Sequence, residues 1–162
     1  MAALTIFCAM LLAGSALHKA MARERLAAAA SRLVGASPAL GPVLLVLAGA
    51  VELIAAVCLL IEPLRVAGGI AATVLWAGYT LMLVRRRGET LDCGCDLNAR
   101  AKPVTAVLAA RPAVLSALAA FVSTLPAAPV TLDAPFAAAG LLALYLGASE
   151  LLAIPRPAWR TV

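Results

Sequence analysis

The chain has 162 residues, of which 64% are apolar and 13% are charged, and its net charge is +5. Soluble domains are about 45–50% apolar and about 25% charged, so this chain has too few polar residues to cover a water-soluble core. Its mean hydropathy of +1.03 also excludes a disordered chain. The composition predicts an integral membrane protein. We expect residues 1–162 to form a single integral membrane domain, because no connection reaches the roughly 50 residues of a separate soluble domain.

Five apolar runs predict an all-α membrane protein with five transmembrane helices, since each crossing takes about 20 apolar residues. The spans are expected at about residues 3–18, 39–61, 66–84, 104–124 and 135–154. A secretory signal peptide is the alternative for the first run. No Lys or Arg precedes that run, whereas signal peptides begin with a positive region, so we interpret it as a retained helix.

The segment 20–37, between the first two spans, is rich in alanine and basic residues. Its Leu26 and Leu33 are seven residues apart, as on one face of a helix. An amphipathic helix on the membrane surface and a plain basic loop both fit this pattern.

Basic residues are distributed unevenly between the two sides of the predicted bundle. Arg65 is alone in the second connection, the fourth connection has none, and Arg111 falls within a span. The other eleven lie in the first and third connections and the C-terminal tail: Lys19, Arg23, Arg25, Arg32, Arg85, Arg86, Arg87, Arg100, Lys102, Arg156 and Arg160. The positive-inside rule then predicts an external N-terminus and a cytoplasmic C-terminus in a plasma or inner membrane. These clusters indicate contact with the lipid bilayer and not with nucleic acid.

Cys93-Gly94-Cys95, in the third connection, is the most specific motif for chemistry. Two thiols one residue apart close a strained, easily reduced ring, and Gly94 gives the backbone the freedom to close it. We therefore predict thiol–disulfide exchange with Cys93 and Cys95 as the catalytic residues, and expect no metal or cofactor. Two reduced cysteines without a role, or a zinc site completed by His18 or nearby aspartates, are the alternatives.

Cys8 and Cys58 fall within the first and second spans. The predicted topology places both in the outer half of the bilayer, where they are candidates for a second thiol pair. The favoured interpretation is that they are small apolar side chains that fill the core.

Glu52, Arg111 and Glu150 are ionisable residues inside predicted spans, with His18 at the inner boundary. At about 1.5 Å per residue, their depths from the inner face are roughly 20, 10 and 6 Å. Arg111 is thus expected between the two carboxylates, in a polar column beneath Cys93 and Cys95, with Pro112 kinking its helix. Such residues usually pair inside a bundle, so the column predicts either a structural ion pair or a pocket that assists thiol chemistry or binds a small ligand.

The order of these motifs resembles the MauE-type family of methylamine-utilisation membrane proteins, within the DoxX-like superfamily. The resemblance covers about residues 1–125. It rests on Ser15-Ala16-Leu17-His18-Lys19, on Glu52, on Cys93-Gly94-Cys95 and on Arg111. It implies a four-helix DoxX-like core plus one further helix.

The family is implicated in maturation of the methylamine dehydrogenase small subunit, which is exported and rich in disulfides. The resemblance therefore implies redox-associated maturation or export of a partner, either an exported disulfide-rich protein or a thioredoxin-like protein. Cytoplasmic thiols are normally reduced, so an electron relay would be needed to reconcile this role with the predicted topology. A small transporter or quinone- or lipid-binding protein, and a structural assembly subunit, are the alternative functions.

Overall fold

The computed structural model describes residues 2–91, 102–126 and 129–153. Its helices are α1 (Ala2–Met21), α2 (Arg23–Val34), α3 (Gly41–Leu60), α4 (Arg65–Arg85), α5 (Ala106–Thr124) and α6 (Ala134–Ala153). Short 3-10 turns at Pro38–Leu40 and Glu62–Leu64 precede α3 and α4. Two-residue strands, β1 (Thr90–Leu91) and β2 (Lys102–Pro103), lie between α4 and α5.

Helices α1, α3, α4, α5 and α6 are each long and apolar enough to cross a membrane. About 20 residues at 1.5 Å per residue give roughly 30 Å, the thickness of a bilayer's hydrocarbon core. A helix also satisfies its own backbone hydrogen bonds, as lipid requires. The predicted five-helix membrane fold is therefore confirmed. The largest difference from the predicted spans is three residues, at the end of α1.

The segment 20–37 contains a helix, so the plain-loop alternative is wrong. Leu26 and Leu33 of α2 are both buried, as the seven-residue spacing predicts for one helical face. Helix α2 ends at Gly35, which has a left-handed φ of 76° and donates its backbone N–H to the Arg32 carbonyl. Where α2 crosses α3, a Cβ at Gly41 would overlap the carbonyl of Ala27, so glycine is needed for this close approach.

The main core lies where α1, α3, α4, α5 and α6 meet. Cys8, Leu12, Ala55, Ala72 and Ala119 are among its most buried members. Small side chains let the backbones approach closely, which is how helices associate in lipid. Helix α6 is peripheral. In its most apolar stretch 11% of the residues are buried, against 28–33% in the corresponding stretches of the other four spans. It packs mainly on α1.

Strands β1 and β2 form a short antiparallel ladder, with Thr90 opposite Pro103 and Leu91 opposite Lys102. The Val104 backbone N–H donates to the Glu89 carbonyl at 2.9 Å and extends the pairing toward the helices. Thr105 then caps α5 by accepting the Leu108 backbone N–H at 3.3 Å. The ladder therefore joins the two ends of the segment 92–101, which lies outside the described residues.

Candidate functional site: a buried charge cluster and the flanking cysteine segment

Glu52 is buried near the middle of α3, where its carboxylate is 1% exposed. Its Oε1 accepts hydrogen bonds from Ser15 Oγ of α1 and Tyr79 Oη of α4, each at 3.0 Å. Lys19 Nζ of α1 lies 2.7 Å from Oε1 and 2.9 Å from Oε2. One carboxylate thus receives hydrogen bonds from three side chains on two neighbouring helices.

Lys19 completes this cluster from the last turn of α1. Its ammonium group donates to Ser15 Oγ at 2.7 Å as well as to both Glu52 oxygens, which uses all three of its N–H groups. The ammonium also lies 5.5 Å from the centre of the Tyr79 ring, within the range of a cation–π contact. Ser15, Lys19, Glu52 and Tyr79 together are called the charge cluster below.

The cation opposite Glu52 is therefore Lys19. Arg111, which the sequence analysis placed between Glu52 and Glu150, is not among the hydrogen-bonding partners of Glu52 in the described part of the chain. The sequence analysis counted Lys19 among the charges of the first connection. Helix α1 continues to Met21, however, so Lys19 belongs to the span and is only 6% exposed. The spacing of Ser15 and Lys19 carried the missed signal, because residues four apart lie on one helical face.

Arg111 occupies a second polar position, between α5 and α6. Its Nη2 donates to the backbone carbonyl of Ser149 at 2.8 Å, and Glu150 is the next residue of α6. Among the described residues, the carboxylate of Glu52 has only Ser15, Lys19 and Tyr79 as hydrogen-bonding partners. The structure therefore separates Glu52, which contacts α1 and α4, from Arg111, which contacts α6.

The α5 helix runs through Pro112 without ending. His18, the remaining member of the predicted column, lies at the end of α1 with its Nε2 3.4 Å from Arg25 Nη2 of α2.

Cys8 and Cys58 are free thiols in the structure. Cys8 is fully buried in the main core. Cys58 lies against α4, where a Cβ added to Gly68 would come within 2.9 Å of the Cys58 Cβ. These surroundings fit the role of small packing residues, and pairing of the two thiols stays a prediction.

Cys93 and Cys95 lie outside the described residues. The structure does describe the residues on either side of them, Leu91 and Lys102, which are paired in the ladder. Four residues connect α4 to β1, and two residues connect β2 to α5. The predicted dithiol thus belongs to a ten-residue segment, 92–101, and the residues that flank this segment, Leu91 and Lys102, pair with each other in the ladder.

The hydrogen-bonding groups of Glu52 and Lys19 are satisfied within the charge cluster. Four hydrogen bonds reach the Glu52 carboxylate, and Lys19 has no N–H left for another acceptor. An ion pair that is satisfied within the protein orients the helices that carry its members. This arrangement favours the structural role among the interpretations of Glu52, and ties α1 and α4 to α3.

Comparison with known proteins gives a family match over most of the chain. The model of the family described as methylamine utilisation protein MauE matches residues 1–125. A Paracoccus denitrificans protein named methylamine utilization protein MauE is 41% identical over 112 residues, covering 62% of this chain. The alignment covers 59% of that relative, so the chain spans about three fifths of its length. No solved structure matches.

Proposed function

Because this chain belongs to the MauE family of methylamine utilisation proteins, we propose that it handles thiols and disulfides during maturation of a partner protein. It is a multi-pass membrane protein associated with methylamine utilisation. The exchanging groups in this proposal are Cys93 and Cys95. The observation that carries it is the Cys93-Gly94-Cys95 motif on a segment bounded at both ends by one ladder.

The ladder supports this proposal because it anchors the segment to the bundle. Leu91 and Lys102 are directly opposite each other, so the ten residues between them begin and end at one place. The motif follows α4 and precedes α5, outside both spans. A protein partner can meet a dithiol that lies outside the spans, whereas lipid separates it from a dithiol inside a span.

The exchange proceeds in two steps that balance. One thiolate of the pair attacks a disulfide of the partner, forming a mixed disulfide and releasing one partner thiolate. The second thiolate of the pair then attacks the mixed disulfide, closing Cys93–Cys95 and releasing the other partner thiolate. Two electrons pass from this chain to the partner, which gains two protons as its thiols form. The reverse sequence oxidises the partner and reduces the pair.

The direct partner that we propose is a thioredoxin-like protein, with an exported disulfide-rich protein as the final substrate, reached through an electron relay across the membrane. This choice rests on the charge distribution, which predicts that the connection between α4 and α5 is on the cytoplasmic side of a plasma or inner membrane. Cytoplasmic thiols are kept reduced by proteins of the thioredoxin type. The alternative is direct exchange with the protein that is to be exported.

The charge cluster has a supporting role in this proposal. Lys19 and Tyr79 bring α1 and α4 onto Glu52 of α3, and α4 is the helix that precedes β1. A transporter or quinone-binding function would instead need Glu52 to offer a free acceptor. Its oxygens are already occupied by Ser15, Lys19 and Tyr79, which favours the supporting role.

Trapping the mixed disulfide tests the proposal. Cys95→Ser leaves Cys93 unable to resolve a mixed disulfide, so a covalent adduct should accumulate that runs larger on non-reducing gels and disappears with reductant. Cys93→Ser tests the opposite order of attack, and Cys58→Ser is the control that removes a thiol from a span. Mass spectrometry of the adduct would distinguish a thioredoxin-like partner from an exported protein. No adduct with either variant, together with an unchanged phenotype of the double variant, would refute the exchange.

A further inference from the structure

An apolar groove runs along the outside of the bundle between α1 and α3. Its volume is about 410 Å³. Residues of both helices form its walls, among them Ala13, Ala16 and Leu17 of α1 and Val46, Gly49 and Leu53 of α3. Leu17, Val46 and Leu53 are 62%, 66% and 53% exposed, so the groove opens away from the bundle. In a membrane, this opening faces lipid.

The groove also has free space above Gly49 of α3, one of its lining residues. A Cβ added to Gly49 would meet nothing within 4 Å. At Gly68, by contrast, an added Cβ would come within 2.6 Å of the Leu59 backbone nitrogen. Gly49 therefore does not serve close packing of two helices, and the space above it is available to a molecule from outside the protein.

One end of the groove is basic. Arg23 lines it just beyond the end of the α1 span at Met21, where a helix that crosses a bilayer is expected to reach the headgroups. Arg23 is exposed and makes no hydrogen bond or ion pair with any residue in the described ranges. Lys19 also lines the groove, but its ammonium group is bound to Ser15 and Glu52. Arg23 is thus the lining cation that can receive an anion.

We propose that this groove binds an anionic phospholipid, with one acyl chain between α1 and α3 and the phosphate paired with Arg23. Charge complementarity carries the choice of occupant. The wall is apolar along the span, and its single available charge is a cation at the interface. Arginine recognises phosphate oxygens through paired N–H donors, and basic residues just outside a span attract anionic headgroups. This inference stands independently of the proposed thiol exchange.

Lipid binding to the purified, detergent-solubilised full chain tests the proposal. Phosphatidylglycerol and phosphatidylcholine of matched acyl chains are titrated, and bound lipid is counted by native mass spectrometry. We expect one phosphatidylglycerol to bind more tightly than phosphatidylcholine. Arg23→Gln should weaken phosphatidylglycerol binding about five-fold, as about 1 kcal/mol per interfacial basic residue implies, and remove the preference.

Two pairs of variants separate the groove from general effects of charge or volume. Gly49→Leu fills the groove and should reduce binding of both lipids. Its control is Gly78→Leu, at another glycine where an added Cβ meets nothing within 4 Å. Arg32→Gln, which removes an exposed charge of α2 outside the groove, is the control for Arg23→Gln.

The proposal is overturned if Arg32→Gln lowers phosphatidylglycerol binding as much as Arg23→Gln does. It is also overturned if Gly49→Leu binds both lipids like the unmodified protein. A short-chain quinone that displaces the lipid and binds equally well to Arg23→Gln would assign the groove to a neutral ligand instead. Displacement of phosphatidylglycerol by inorganic phosphate alone would show that the acyl chain makes no contribution, and would contradict the groove as its site.

Discussion

The ammonium group of Lys19 lies 2.7 and 2.9 Å from the two carboxylate oxygens of Glu52, and this contact joins α1 to α3 inside the bundle. The two side chains are 7% and 1% exposed, so neither charge is neutralised by water. Removal of one partner leaves the other buried without compensation, which costs far more than loss of a surface ion pair.

Lys19→Met should therefore destabilise the protein strongly. We expect the free energy of unfolding to fall by about 3–5 kcal/mol, the range for breaking a buried pair, measured by denaturant unfolding in detergent micelles. Lys19→Met/Glu52→Gln should recover most of the loss, because the neutral amide oxygen still accepts from Ser15 and Tyr79. Arg32→Gln, at an exposed position of α2, is the control. A Lys19→Met variant as stable as the control would refute this role for the pair.

Tyr79→Phe tests the contribution of α4 to the charge cluster. The substitution removes the hydrogen bond to Glu52 Oε1 but keeps the ring beside Lys19. A hydrogen bond to a charged group contributes about 1.5–3 kcal/mol, and we expect a loss of that size in the same unfolding measurement. Thr80→Val is the control, since within the described part of the chain the Thr80 hydroxyl bonds only to its own helix, at the Trp76 carbonyl at 2.8 Å. Equal effects of the two substitutions would contradict the assigned contact.

The α4–α5 interface is expected to be sensitive to one added methyl group. A Cβ at Gly69 would overlap the hydroxyl of Ser123, so Gly69→Ala should cost about 1–3 kcal/mol by overpacking. Ser123→Ala should restore part of this loss in the double variant. Gly78→Ala lies on the same helix in open space, and should be neutral or slightly stabilising because alanine favours a helix over glycine. A loss at Gly78 equal to that at Gly69 would refute the steric explanation.

Much of the fold follows from the sequence because apolar length alone determines where a chain can cross a bilayer. The spans of α3, α4, α5 and α6 were predicted to within two residues. For the segment that forms α2, the sequence did not decide between a helix and a loop. An alanine-rich basic segment does not indicate whether Leu26 and Leu33 have a surface to pack against. In the structure, α2 packs mainly on α3, and Leu33 joins a cluster with Leu83 of α4 and Leu108 of α5.

The charge cluster was predicted only in part. Glu52 was identified because a carboxylate inside a span requires a partner. The identity of that partner depends on how α1 and α3 rotate against each other, which hydropathy does not determine. Depth along the bundle placed Arg111 between Glu52 and Glu150 and left the choice between them open, whereas the structure joins Arg111 to the Ser149 carbonyl of α6. The spacing of Ser15 and Lys19 contained the missing information, but only a helix that extends to Met21 makes it relevant.

The unequal distribution of basic residues predicts the orientation of the bundle. Single cysteines are introduced by Ser37→Cys, before α3, and Val130→Cys, before α6, in a chain whose four native cysteines are replaced by serine. Both positions are exposed. A membrane-impermeant maleimide should label Val130→Cys in intact cells and label Ser37→Cys only after permeabilisation. Labelling of Ser37→Cys in intact cells would show that the bundle has the opposite orientation.

The most direct test of the central claim is the coupled oxidation of Cys93 and Cys95. Membranes are treated with a mild oxidant, the remaining free thiols are alkylated, and the peptide containing both cysteines is measured by mass spectrometry before and after reduction. The account predicts that both alkylation sites disappear together and that the peptide loses two hydrogen atoms, with full recovery on reduction and no dependence on a chelator. Independent alkylation of Cys93 and Cys95 under oxidant, or protection that vanishes with the chelator, would contradict it.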